Sequence, residues 1–400
     1  MMGISRLQTA NCKLQTANLR WFIVFHFSFF IFHFAFPAYA SDWPTFQGGP
    51  LRKGVSDEQF RIPDRVGWRV DIREALSPSY KPVEFSVPVV SGDEIYVGTS
   101  IKIFFRLSAM DGSILWSFKT PEGIESTATI SEDSVYFGDN SGTLYALHRK
   151  DGSLIWKHES GGEILSSPLV VKGIVYLSNA VGDVFALDAY TGKKLWQYKR
   201  SGQKGYSIRG SSSPSHDGSN LYIGFSDGFV VALNPFDGAL LWEKRLAEAR
   251  SQFKDIDASP VPDGDSLYVS FYDGSLYSLK AVDGSINWKF DDGGVGTPAI
   301  GKDAVFLPSS RGSVYSLDKI TGKQNWAHKL DKAIASSIIA ADGYLLFGLS
   351  DNGVKAIDAE KGEEKWRYAP GSGVYNGLAY SNGNLYFMSN GGFIYSIPCK

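Results

Sequence analysis

Two short stretches place side chains that could grip a partner or do acid–base chemistry. One is Tyr206-Ser207-Ile208-Arg209-Gly210, an aromatic, an aliphatic and a guanidinium within four residues. The other is Phe253-Lys254-Asp255-Ile256-Asp257, with two carboxylates two residues apart. Paired carboxylates can act as a base or as oxygen ligands for a hard cation, but Ca²⁺ wants six to eight oxygens. Nothing near Asp255 and Asp257 supplies the rest. Arg209 has a second use, since it can pair with Asp255 or Asp257 and brace two neighbouring loops. It can also grip another protein beside the apolar Tyr206 and Ile208, the usual combination of anchor and arginine at interfaces.

Other chemistry finds less support. His148, His158, His216 and His328 fall in different parts of the chain without metal-ligand spacing. The pairs Asp111-Gly112, Asp227-Gly228, Asp273-Gly274 and Asp283-Gly284 recur too regularly for calcium loops and read as turns. No catalytic residue, cofactor site or metal site is assigned.

The elements that must position these stretches are repeats. Trp116, Trp156, Trp196, Trp242, Trp288, Trp326 and Trp366 each follow a glycine by four residues, at intervals of 40, 40, 46, 46, 38 and 40. Before each glycine lies a strand such as Val184-Phe185-Ala186-Leu187. Before that comes a second, such as Val135-Tyr136-Phe137-Gly138, and a third, short and small, such as Ser167-Pro168-Leu169-Val170. Four strands per unit of about 40–45 residues describe a propeller blade. Trp68 is an outer strand with nothing before it, and Phe393–Ile397 is a third strand with nothing after it. Joined, they complete an eighth blade. The prediction is an all-β, eight-bladed β-propeller of four-stranded antiparallel blades, closed by an N-terminal outer strand at 66–70. Ala128, Ser167, Ser213, Ser259, Ser337 and Gly377 are small enough for the crowded axis, and each Trp belongs between neighbouring blades. The Gly/Pro-rich segment 41–65 is irregular; its first part, to Asp57, is expected to lie along the outside, pinned by Trp43 and Phe46.

The first forty residues read as a signal peptide. They carry Arg6, Lys13 and Arg20 and no acid, then an apolar run from Trp21 to Phe36, then Ala38-Tyr39-Ala40 as a cleavage site. Cleavage after Ala40 leaves a single domain, 41–400, with 37 basic against 42 acidic residues, a net charge of −5. That balance argues against a nucleic-acid partner. Cys12 leaves with the leader and precedes the apolar run, so no lipid-attachment cysteine is evident. Cys399 then stands alone and no internal disulfide forms. A soluble monomer in the periplasm or outside the cell is expected, with peripheral association at the outer membrane open to it.

The segment Ala186, Asp188, Thr191, Gly192, Lys193 and Trp196 resembles the tryptophan-docking motif of the pyrroloquinoline-quinone-type propeller family. Asp318, Thr321, Gly322, Lys323 and Trp326 repeat most of it. The resemblance spans nearly all of 41–398 and implies the fold. It leaves open a quinone-dependent dehydrogenase and a ligand- or polymer-binding sensor. The two 46-residue intervals carry insertions, Arg200 to Gly210 and Arg245 to Asp257, and a further long connection runs from Asp71 to Glu84. All are of one connection type and belong on one face, the mark of a binding surface. Tyr206, Ile208 and Arg209 in the first, and Asp255 and Asp257 in the second, resemble the BamB family, whose loops dock a POTRA domain of BamA. That resemblance implies a non-catalytic scaffold for assembly of outer-membrane β-barrels. The chain departs from the family at Tyr206, normally aliphatic, and in the missing lipid-attachment cysteine.

Overall fold

The computed structural model describes residues 42–72, 83–200, 212–247, 254–271, 274–294, 296–375 and 377–400. The expected signal peptide lies outside them. Eight antiparallel sheets form the predicted eight-bladed β-propeller. The first blade is typical: Val89–Ser91 innermost, then Glu94–Gly98, Ile103–Ser108 and, outermost, Ile114–Lys119. The closing blade takes Ala379–Ser381, Asn384–Ser389 and Phe393–Pro398 from the C-terminal end and Trp68–Asp71 as its outer strand, with Trp68 opposite Ser396. Second and third strands are buried on both faces because a blade lies on each side. Outermost strands alternate between exposed and covered residues.

Local chemistry sets each blade's position. In the turn before the outer strand, Asp188 Oδ1 accepts from the amides of Tyr190 and Thr191 and from the Thr191 hydroxyl. Gly192 then takes φ +69, a conformation that favours glycine. A register shift follows between Ala186 and Leu187, leaving Trp196 opposite Ala186. The extra residue turns the outer strand and aims the indole at the next blade. There it lies against the glycine of that blade's turn. A Cβ on Gly192 would come 2.6 Å from the Trp156 ring, and one on Gly238 would come equally close to Trp196. Each indole N–H donates to a carbonyl of the same turn: Trp156 to Ala189 and Trp196 to Pro235, both at 2.9 Å. Trp68, Trp116, Trp242, Trp288 and Trp326 repeat the contact at 2.9–3.1 Å. The Trp residues therefore lie between neighbouring blades, as predicted.

The N-terminal segment corrects its prediction. It does not run along the outside. It winds once around the axis beneath the innermost strands and touches the eight blades in ring order. Trp43 bridges Val90, and Pro44 accepts from the Ile130 amide. Pro50 accepts from His216, Lys53 from Ile300 and Gly54 from Ala340. Lys53 also pairs with Asp263. Val55–Ser56 adds a parallel fifth strand to the seventh blade, and the Glu58 carboxylate accepts from the amides of Asn382 and Gly383 in the eighth. The path follows from unsatisfied backbone. Each innermost strand has a free inner edge, and buried amides need partners.

Arg52 pins the winding segment. It is fully buried. Its guanidinium donates to the carbonyls of Pro214, Phe46, Ser167 and Pro168 and to the Thr45 hydroxyl, at 2.7–3.3 Å. Burial pulls its pKa down to about 9, still protonated at neutral pH. Replacing it leaves several enclosed carbonyls without donors, at about 1–3 kcal/mol each. Arg52→Met is therefore expected to lower unfolding stability by at least about 3 kcal/mol in urea titration; a change within error would remove the pinning role.

Candidate functional site

In an antiparallel meander, successive connections alternate between the two faces. The winding segment closes the face that carries the first-to-second and third-to-outermost turns. The described ends of the connections from each outermost strand to the next innermost strand fall on the opposite face, those of the three long ones included. Their described roots are pinned. Arg200, at the root of one, pairs with Asp227 at 2.6 Å and Glu243 at 2.9 Å and lies over the Phe229 ring at 4.3 Å. Glu84, at the root of another, accepts from the amide and hydroxyl of Ser100, while Asn390 accepts from its backbone amide. Burial raises the Glu84 pKa, the Ser100 bonds oppose it and Glu125 adds to it.

A cavity of about 440 Å³ lies on the axis. Phe46 of the winding segment belongs to its lining, together with Thr127, Ser167, Ser213, Ser259, Thr297 and Ser337, each two residues before an innermost strand. These small residues do more than fit. Thr127 accepts from the Val87 amide, Ser213 from Ser167, Thr297 from Ser259 and Ser337 from Thr297, at 2.9–3.1 Å. Each such bond ties one blade to the previous one.

The cavity's outer lining is set by register. Ile124, Ile164, Ile256 and Val374 wedge against Gly98, Gly138, Gly224 and Gly348, where an added Cβ would meet the wedge side chain at 2.2–2.7 Å. The residue after each wedge lines the cavity: Glu125, Leu165, Asp257 and Tyr375. Phe85 and Ala335 hold the equivalent positions in their blades. The sequence carried this signal, because Phe85, Glu125 and Leu165 stand 40 residues apart, as do Ala335 and Tyr375, matching the Trp intervals.

The expected site residues divide. Tyr206, Ile208 and Arg209 lie outside the described residues. Asp255 is described and is 0% exposed. The sequence expects it at a partner interface; its carboxylate is enclosed here. Asp257 is beside the Ile256 wedge and lines the cavity, with Oδ1 buried and without a hydrogen-bond donor. Burial, and then the nearby charge of Asp255, push its pKa up to about 7.

No three His, Cys, Asp or Glu side chains come together for a metal among the described residues. Glu125 and Asp257 are the carboxylates among the described lining residues, and calcium takes six to eight oxygens. His216 accepts from the Gly218 amide and stacks on Tyr176, and His158 lies edge-on to Phe185. The carboxylates of Asp111, Asp151 and Asp283 accept from Ser113, Ser153 and Ser285 within their own turns, as turn chemistry requires.

A family profile described as outer membrane protein assembly factor BamB matches residues 106–328 and 310–397. No curated protein matches the sequence. Among solved structures the chain is similar to BamB from Moraxella catarrhalis, at 23% identity and a TM-score of 0.72, over 80% of this chain and 98% of that one. It is similar to a quinohemoprotein alcohol dehydrogenase from Comamonas testosteroni, at 14% identity and a TM-score of 0.74, over 89% and 80% of the two chains. It is also similar to the computationally designed Ika8 protein, at 14% identity and a TM-score of 0.69, over 84% and 100%. At these identities the structural likeness establishes the propeller alone, a fold that serves many functions.

Asp257 gives this site a stability signature. Its folded pKa of about 7 exceeds the ordinary aspartate value of about 3.9 in an unfolded chain. The folded protein thus holds a proton that the unfolded chain releases. The stabilisation is present at low pH and is lost as pH rises through about 7. Relative to the native chain, Asp257→Asn should gain stability as pH rises from about 4 to about 7, then hold steady. Parallel stability curves in urea would show that the carboxyl titrates normally.

Proposed function

Because the chain belongs to the outer membrane protein assembly factor BamB family, we propose that it is a non-catalytic protein-interaction scaffold. In this reading it is exported to the periplasm, loses its leader after Ala40 and assists assembly of outer-membrane β-barrel proteins. The observation that carries the proposal is the family match across residues 106–397. The geometry favours it further: the described ends of the three long connections share one face, and side chains brace two of those ends. A loop held in place loses less entropy on binding.

The partner is a POTRA domain of a BamA-like subunit. Arg209 and Asp257 provide the charged contacts, and Tyr206 and Ile208 the apolar anchors. Asp255 acts from behind, holding its loop in register with the Ile256 wedge. The closed opposite face takes no part.

The test is a quantitative pull-down of the mature chain with the POTRA domains of the host's BamA. Arg209→Ala and Asp257→Ala should each weaken capture by about 10-fold or more, the range of an interface hot spot. Tyr190→Ser, a change in an exposed turn of the opposite face, should leave it unchanged. Failure of the native chain to bind would end the proposal. Normal binding by both charge variants would remove those residues from the interface.

A further inference from the structure

The axial cavity has the chemistry of a small-ligand site that needs no partner protein. Asp257 places a buried oxygen without a donor among its lining residues. Such an atom costs free energy until something hydrogen-bonds to it. The lining includes a second carboxylate, Glu125, and contains no Lys, Arg or His among the described residues. Arg52 does not supply the missing charge, because neutral oxygens already take up its guanidinium N–H groups. Phe46, Phe85 and Tyr375 give the same cavity aromatic surface. Carboxylates with aromatic walls suit an organic cation, through charge-assisted hydrogen bonds and attraction to the ring faces. A volume of about 440 Å³ falls within the range of small-molecule sites. Among the described residues no three His, Cys, Asp or Glu side chains gather, so the described lining is a poorer fit for a bare metal ion.

We propose that the axial cavity binds a small free organic ammonium ion, its N–H groups on Asp257 and its carbon chain along the cavity's apolar lining. The elevated pKa of Asp257 is what a carboxylate without its counter-ion shows, and a bound cation would bring it down.

The probe is butylammonium, with n-butanol and butyrate as neutral and anionic counterparts, titrated calorimetrically into the mature chain alone. Butylammonium should bind saturably, and the two counterparts should not. Asp257→Asn should lower its affinity by about 10-fold or more, the worth of a charged hydrogen bond. Equal binding of n-butanol, unchanged affinity in the Asn variant, or no binding at all would overturn the proposal. None of these readouts depends on whether the chain docks to a POTRA domain, so the two proposals can fail separately.

Discussion

The structure depends on how one indole meets one glycine. A blade cannot bury both faces alone, so each relies on a repeatable contact with its neighbour. The outer-strand Trp supplies it by covering the next blade's turn glycine and donating to a carbonyl of that turn. In several blades the same carbonyl also accepts from a second-strand tyrosine: Ala189 from Tyr136 and Pro235 from Tyr176. The apolar wedges and the hydroxyl bonds at the axis repeat this tie at shorter radius. Three contacts at three distances from the axis fix the angle between blades, and that angle sets the count at eight.

The junction between the seventh and eighth blades is different. Trp366 stacks on Tyr368 of its own strand. Phe60 fills in from the winding segment. Its ring lies 5.0 Å from Tyr344 of the seventh blade and 5.9 Å from Tyr380 of the eighth, while its amide donates to Asp342. The ring is therefore sealed by a hydrogen-bonded strand on one side of the closing blade and by packed aromatics on the other.

Much of this was legible in the residues. Trp-to-Gly spacing, alternating strands and two orphan strands were enough for the blades and their closure, because packing between repeats demands the same residue types each time. The winding segment was not legible. It is held largely through backbone carbonyls and amides, which leave no residue-type signature, and its key side chain, Arg52, stands in a Leu-Arg-Lys-Gly stretch that reads as surface. The cavity lining was half legible. Its spacing follows the Trp intervals, but its residue types change from blade to blade because they face open space and not a neighbour. Asp255 and Asp257 looked equivalent in the sequence. The Ile256 wedge separates them, enclosing one and leaving the other at the cavity.

Closure between Trp68 and Ser396 also governs how the molecule must be made. A ribosome delivers the central winding and the closing outer strand before any full blade exists, and their partner strand, residues 393–398, only after the other seven blades. Until residues 393–398 arrive, the growing array keeps an unpaired edge, the kind that invites pairing with other chains. Contacts so distant in sequence form slowly. A message cut short by even one strand would therefore yield an open, adhesive arc and not a smaller propeller.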